Sequence, residues 1–142
     1  MLIDVNLLLY AAYAETPEHE ITRAWLQEQL NGQRRVGLPW ESLVGFVRLA
    51  TNPRVSPRAL RPAEAWAFVE DWLAAPVVWV PTPTDEHAQV LGGLIAKHRI
   101  TGKLVPDAHL VALAMEHGLV VYSADSDFAR FPEIRWVNPL AA

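Results

Sequence analysis

Four acidic residues, Asp4, Glu41, Asp107 and Asp125, stand where apolar segments meet helical ones, and together they could hold a metal ion. Asp4, Glu41 and Asp125 each come after a segment with the pattern of a buried strand. Ligand sites in a parallel α/β sheet form at the carboxyl ends of the strands, so these three side chains are predicted to converge on one edge. Clustered carboxylates repel one another unless a divalent cation neutralises them. The pattern therefore indicates metal-dependent chemistry.

Each acid also has a structural explanation when it is considered alone. Asp4 and Asp125 could shape turns, and Glu41 could favour the positive end of a helix dipole. Asp107 comes directly after Pro106 and could cap a helix. It also follows no predicted strand, so spacing alone does not bring it to the common edge. The strand-end positions of the other three acids favour a shared site over separate structural roles.

The elements that must position these acids alternate between strands and helices. Five short strands are predicted, at Leu2–Ile3, Val36–Leu38, Val77–Val80, Leu119–Tyr122 and Ile134–Val137. Helices are predicted from an Asn6 cap to about Ala14, from Pro17 to about Leu30, from Pro39 to about Thr51, from Pro62 through Leu73, around Val90–Ile95, and from Asp107 to His117, with residues 99–106 as a loop. This alternation predicts an α/β fold in which helices flank an open parallel sheet, as a single domain over residues 1–142.

Composition restricts the class of protein further. The chain has 142 residues, no cysteine and a net charge of −4, which excludes disulfides, zinc fingers and thiol catalysis. Apart from the four acids and Asp127, the charged residues nearly balance, so an acidic chain is still compatible with a nucleic-acid substrate. The longest apolar run, Leu7 to Ala14, is shorter than the roughly 18 residues of a membrane span. The N-terminal segment also lacks the basic region of a signal peptide. We therefore expect a cytoplasmic protein with no membrane segment.

The four acids lie within longer sequence motifs. These motifs cover residues 2–11 (LIDVNLLLYA), 38–54 (LPWESLVGFVRLATNPR), 106–114 (PDAHLVALA) and 123–131 (SADSDFARF). In order and spacing they resemble the motifs of PIN-domain ribonucleases, specifically the VapC-type toxins of toxin–antitoxin pairs. The resemblance spans essentially the whole chain. It implies a three-layer PIN fold with a sheet of about five short parallel strands.

The resemblance also implies a function and a set of site residues. The expected activity is that of a Mg²⁺- or Mn²⁺-dependent endoribonuclease toxin that acts on transfer or ribosomal RNA. A VapB-type antitoxin would inhibit it, and the protein would form a homodimer. The expected catalytic and metal-binding residues are Asp4, Glu41, Asp107 and Asp125. Asn6 and Asp127 correspond to accessory positions of the first and fourth motifs.

We hypothesise that a metal-activated water hydrolyses an RNA phosphodiester. Carboxylate ligands suit Mg²⁺ or Mn²⁺. Asp4 and Asp107 would be the principal ligands, and Glu41 and Asp125 would complete the shell or orient water. The outer partners of these ligands are expected to be Asn6, Ser123 and Asp127. The candidate cations for contact with phosphates are Arg34, Arg35, Lys97, Arg99 and Lys103. Arg99 and Lys103 have the better claim because their segment leads to Asp107. His109 is expected to be a packing or surface residue, and Trp25, Trp66 and Trp72 are expected to be buried.

Two other functions are compatible with parts of this pattern. A degenerate PIN module would bind RNA or protein without cleavage, although the presence of all four acids disfavours it. An aspartate-dependent phosphatase would use an Asp-x-Asp nucleophile after a strand. Asp4-Val5-Asn6 lacks the second acid, and Asp125-Ser126-Asp127 comes late in the chain for that architecture.

Overall fold

A five-stranded parallel sheet forms the centre of the structure, a computed structural model that describes residues 1–141. The strands are β1 (Leu2–Ile3), β2 (Val36–Gly37), β3 (Val78–Trp79), β4 (Val121–Tyr122) and β5 (Trp136–Val137). Their order across the sheet is β3-β2-β1-β4-β5, and every neighbouring pair is parallel. The predicted α/β fold with a parallel sheet of about five short strands is confirmed.

Helices occupy the connections between the strands. They are α1 (Val5–Ala12), α2 (His19–Leu30), α3 (Trp40–Ala50), α4 (Pro62–Ala74), α5 (His87–His98) and α6 (Leu104–His117), and a short 3₁₀ helix spans Ser126–Arg130. Within residues 1–141, no helix combines the length and the apolar character needed to cross a bilayer.

The helices pack on both faces of the sheet and create two apolar cores. Successive strand residues point to opposite faces, so Ile3 enters one core and Leu2 enters the other. The first core packs α1, α3 and α4 around the fully buried Phe46, and the second packs α5 and α6 against Phe128 and Phe131. Three layers result, as the resemblance implies.

Gly37 permits close approach of the chain at the centre of the sheet. Its backbone N–H donates to the Met1 carbonyl at 2.8 Å. A Cβ atom at this position would lie 2.9 Å from the Met1 carbonyl oxygen and 2.9 Å from Pro81 Cγ. A side chain here would therefore push β1 or the segment after β3 out of place.

Several predicted helix starts are wrong by two or three residues. Asp4, not Asn6, caps α1, because its Oδ1 accepts from the Val5 N–H at 2.8 Å. The second helix begins at His19 rather than Pro17. The sixth begins at Leu104, so Asp107 lies in its first turn instead of at the N-cap, and part of the predicted loop is helical. Pro106 fits there because the first residues of a helix need no N–H partner.

One of the tryptophans that are predicted to be buried is exposed. Trp66 of α4 is 45% exposed, whereas Trp72 of the same helix is buried as predicted. Trp66 is one position, or about 100° of helix rotation, from the buried Ala65, so it lies at the margin of the buried face.

Candidate active site

The order of the strands creates a crevice beside β1. The chain moves outwards from β1 through β2 to β3 on one side, and from β4 to β5 on the other. Connections that diverge in this way leave a gap at the carboxyl ends of the two central strands, which is where open α/β sheets bind ligands. Asp4 directly follows β1, and Ser123 directly follows β4.

A cleft of about 200 Å³ opens at this point, and all four predicted acids line it. Its walls also include Asn6, Ser42 and Pro106. Asp4 reaches it from the end of β1, Asp125 from the N-cap of the 3₁₀ helix after β4, Glu41 from the first turn of α3, and Asp107 from the first turn of α6. The volume would accommodate a cation with several waters, at about 30 Å³ for each water.

Asp4 is largely buried, and its carboxylate is held on both oxygens. Oδ1 accepts from the Val5 N–H, and Oδ2 accepts from Ser123 Oγ at 2.7 Å and from Asn6 Nδ2 at 3.3 Å. Burial raises the pKa of Asp4, and the nearby charge of Asp125 adds to this effect. The hydrogen bonds from Ser123 and Val5 partly oppose the rise.

Ser123 joins the ends of the two central strands. It is fully buried, its hydroxyl donates to Asp4, and it accepts from Asn6 Nδ2 at 3.1 Å and from the Asp125 N–H at 3.0 Å. Asn6 completes the connection, because its Oδ1 accepts from the Ala124 N–H at 3.2 Å. These contacts place Asn6 and Ser123 around the carboxylate of Asp4, where they fix its orientation.

Asp107, Asp125 and Asp127 form a tight group. Each offers a carboxylate oxygen within 4.8 Å of the other two. The pKa of Asp107 is raised to about 7, first by burial and then by the charges of Asp4, Asp125 and Asp127, with Lys103 partly opposing the rise. Grouped oxygen ligands that repel one another suit a hard divalent cation such as Mg²⁺ or Mn²⁺, so the donor set fits the expected metal. Within residues 1–141, Asp4 and Glu41 line the same cleft but stand outside this group.

Glu41 contacts a residue that sequence reasoning did not assign to the site. His109 Nε2 lies 2.8 Å from Glu41 Oε2. Burial alone would raise the pKa of Glu41, but the hydrogen bond and the charge of His109 outweigh it, and the net pKa is lowered. The same hydrogen bond raises the pKa of His109, against the effect of burial. His109 is half-buried and contacts a predicted site acid, and the expected packing or surface role did not include this contact.

His109 also belongs to a set of hydrogen bonds that the sequence shows only in part. His109 and Glu116 are seven residues apart on α6, which is about two helical turns, so they lie on the same face of the helix. His87 of α5 contacts both side chains, and only the packing of α5 against α6 brings it between them. That packing could not be seen in the sequence.

The predicted cations occupy different places. Lys103 Nζ lies 4.0 Å from Asp127 Oδ2, at the edge of the acidic group, as does Arg130, whose Nε lies 4.0 Å from Asp127 Oδ1. Arg130 was not predicted. Arg99 ends α5 in a left-handed conformation with φ of 52°, and within residues 1–141 no ion pair joins it to the cleft acids. Lys97 pairs with Glu133 at 3.1 Å.

The sheet order and the acidic cleft are accompanied by a match to a known family. The family model for the PIN domain matches residues 1–134. Ribonuclease VapC33 of Mycobacterium tuberculosis is 39% identical over 137 residues, which cover 96% of each chain. Ribonuclease VapC37 of the same organism is 43% identical over 140 residues, covering 99% of this chain and 97% of the relative.

Solved structures show the same fold at low sequence identity. The VapBC2 complex from Rickettsia felis, bound to a DNA fragment from its promoter, contains a chain that is 11% identical with a TM-score of 0.70, and the match covers 96% of each chain. DNA-bound VapBC from Salmonella typhimurium gives 20% identity and a TM-score of 0.67, covering 97% of this chain and 96% of that one. The chain belongs to the PIN-domain family, and within it to the VapC type.

Proposed function

We propose that this protein is a metal-dependent endoribonuclease and the toxin of a VapBC-type toxin–antitoxin pair. The observation that carries the proposal is the convergence of Asp4, Glu41, Asp107 and Asp125 on one cleft from four separate elements. The raised pKa of Asp107 supports it, because a group of acids that stabilises a proton is prepared to stabilise a cation. Relatives that match almost the whole chain are named ribonucleases.

The acids that line the cleft are the proposed ligands for Mg²⁺ or Mn²⁺. Asp4, Asp107, Glu41 and Asp125 would hold the ion, and the short distances within the tight group add Asp127 to the candidates. When it is bound, such an ion lowers the pKa of a water and offsets the charge on a phosphate oxygen. Ser123 and Asn6 keep the Asp4 carboxylate turned into the cleft throughout.

An RNA backbone is the proposed substrate. Lys103 and Arg130 flank Asp127 at the rim, where they can neutralise phosphates on either side of the scissile bond. Arg99 is exposed and lies in the loop that leads to Lys103, so it stays a candidate for a more distant phosphate. Transfer RNA and ribosomal RNA are both compatible with this arrangement.

We also propose a cytoplasmic VapB-type antitoxin as partner and a homodimer as the assembly. Trp40 is 42% exposed and Val44 is 59% exposed, one helical turn apart on α3 and beside Glu41. Apolar side chains grouped near a cleft are typical of a protein interface. Co-expression of a VapB-type antitoxin is expected to relieve toxicity, and light scattering of the purified chain is expected to report twice the mass of a monomer.

Two measurements test the proposed activity. Purified wild type is expected to cleave RNA with Mg²⁺ or Mn²⁺, whereas Asp4→Asn and Asp107→Asn are expected to be inactive, and Mn²⁺ should raise the Tm of the wild type only. Glu20→Gln is the matched control, because Glu20 is an exposed acid in the first turn of α2. Full activity in both asparagine variants would reject the proposal. RNA binding that is insensitive to metal and gives no cleavage would favour the degenerate module instead.

The phosphatase alternative is not favoured, because Asp125-Ser126-Asp127 comes late in the chain and the segment at Asp4 lacks a second acid. Such an enzyme needs a second acid two residues after the nucleophile, and Asn6 occupies that position after Asp4. Asn6 Nδ2 donates to Asp4 and to Ser123, so it serves to hold the acid in place.

A further inference from the structure

A row of four side chains leads away from the cleft at Glu41. Glu41 Oε2 lies 2.8 Å from His109 Nε2, His109 Nδ1 lies 2.9 Å from His87 Nε2, and His87 Nδ1 lies 2.6 Å from Glu116 Oε2. The Glu116 side chain is fully buried, and its other oxygen accepts from the backbone N–H and the hydroxyl of Thr84 at 2.8 and 2.7 Å. The row therefore begins at the cleft and ends at a fixed point in the protein.

The distances determine where the protons lie. Burial opposes ionisation of Glu116, but hydrogen bonds from Thr84 and His87 lower its pKa, and that of Glu41 is lowered as well. The two outer ring nitrogens face carboxylates, so each must carry a proton in order to donate. The two inner nitrogens lie 2.9 Å apart and need one proton between them, so the two rings together carry three protons and one ring is an imidazolium. In this arrangement His109 presents an Nε2–H group to Glu41.

The row also ties three helices together. His109 and Glu116 lie on one face of α6, His87 comes from the start of α5, and Glu41 from the start of α3. The Glu41 side chain is 40% exposed, so without a partner it would be free to turn towards solvent. Partners behind a ligand that fix its orientation are a general feature of metal sites, and their loss typically costs 10- to 100-fold in metal affinity or activity.

We propose that His109 is a positioning residue that holds the Glu41 carboxylate towards the cleft, and that His87 and Glu116 hold His109 in turn. This inference rests on the proposed metal-dependent nuclease function. His109 contacts neither the substrate nor the tight group of acids in this account, and it acts through Glu41 alone. The contact with His109 uses Oε2 of Glu41 and not Oε1.

Two substitutions at position 109 separate positioning from packing. The amide nitrogen of glutamine falls near the Nε2 position of histidine, so His109→Gln can still donate to Glu41. The amide of asparagine falls near Nδ1, so His109→Asn can reach His87 but not Glu41. If His109 served only to pack, His109→Asn and His109→Gln would have similar effects on activity and on metal binding.

The expected results follow from this difference. His109→Asn is expected to lower kcat by about 10- to 100-fold with little change in KM, and to weaken Mn²⁺ binding by a similar factor. His109→Gln is expected to lose no more than about threefold in kcat and in Mn²⁺ affinity, because it keeps the donor to Glu41. His87→Phe retains an aromatic ring but removes the support behind His109, and it is expected to fall between the two.

His98→Asn provides a matched control. His98 Nε2 pairs with Glu133 at 2.8 Å and lies outside the cleft, so the same change there breaks a histidine–carboxylate pair without affecting Glu41. Unfolding curves of every variant establish that it is folded. Equal values of kcat and Mn²⁺ affinity for His109→Asn and His109→Gln would overturn the inference, as would a loss confined to KM.

Failure of the nuclease proposal would be recognised separately. If wild type does not cleave RNA in the assay where Asp107→Asn serves as the blank, the proposed activity is wrong. Mn²⁺ affinity, measured by electron paramagnetic resonance, then decides the positioning role alone. Weaker binding in His109→Asn than in His109→Gln would still support it, and unchanged binding in both would remove it.

Discussion

Replacing Asp107 with asparagine is expected to stabilise the metal-free protein at pH 8. The folded protein raises the pKa of this carboxyl from 3.8 to about 7, chiefly through burial and the charges of Asp4, Asp125 and Asp127. The folded state thus binds the proton more tightly than the unfolded state does. Stability must therefore fall as pH rises between about 4 and 7, and the loss is complete above that window. Asparagine cannot ionise and removes this pH-dependent loss.

The size of the effect can be bounded from the same values. Without screening, the difference between 3.8 and about 7 corresponds to about 4 kcal/mol at pH 8. Asp107 is only half-buried, and solvent screening reduces this to about 1 to 2 kcal/mol. Removal of a negative charge from the first turn of α6 costs about 0.5 kcal/mol. A net gain of about 1 kcal/mol remains, which is about 3 °C in Tm for a chain of this size.

Thermal unfolding in excess chelator, at pH 4.5 and at pH 8, measures this gain. The Tm of Asp107→Asn is expected to exceed that of wild type by about 3 °C at pH 8, and by much less at pH 4.5. Glu20→Gln also removes a negative charge from the first turn of a helix, but Glu20 lies outside the cleft and away from its acids. Its Tm should therefore not rise at either pH. A gain of equal size at both pH values, or none at pH 8, would refute the account of repulsion in the cleft. Mn²⁺ is expected to reverse the order of wild type and Asp107→Asn, because it stabilises wild type and Glu20→Gln but not Asp107→Asn.

Two further substitutions probe what positions the acids. Ser123→Ala removes the fully buried hydroxyl that donates to Asp4 and accepts from Asn6. It should lower the free energy of unfolding, measured in urea, by about 1 to 3 kcal/mol. A change under about 0.5 kcal/mol would contradict the role of this hydroxyl as a link between the strand ends. Gly37→Ala should cost about 1 to 3 kcal/mol, because its Cβ would lie 2.9 Å from two neighbours. The control Gly92→Ala, which meets no atom within 4 Å in α5, should instead stabilise by up to about 1 kcal/mol.

The sheet and the strand-end acids were accessible from the sequence for a simple reason. Short apolar runs separated by helical periods predict a parallel sheet, and the edge rule then places Asp4 and Asp125 near each other without any knowledge of strand order. The actual order strengthens the rule, because β1 and β4 are neighbours and their carboxyl ends are joined by Ser123. Local pattern and global fold agree at these positions.

Asp107 and the histidine row were less accessible because they depend on how helices pack. The position of Asp107 follows from α6, which begins at Leu104, before Pro106, and puts Asp107 in its first turn. Proline and its predecessor disfavour helix in general, and this bias made residues 99–106 read as a loop. Likewise, the i, i+7 spacing of His109 and Glu116 is visible in the sequence, but His87 enters between them only through the contact of α5 with α6.

The cleft combines two opposite demands, and the structure divides them between different residues. Asp107 and its neighbours repel one another, which lowers the stability of the metal-free protein but prepares a strong field for a cation. Asp4 and Glu41 are instead held by neutral or cationic partners, Ser123 and Asn6 for one and His109 for the other. If every acid had such a partner, the cleft would be stable without a metal and would bind it weakly. If none had, the carboxylates would turn away from one another towards solvent. A divalent ion can therefore gain both from the repulsion it relieves and from ligands that are already oriented.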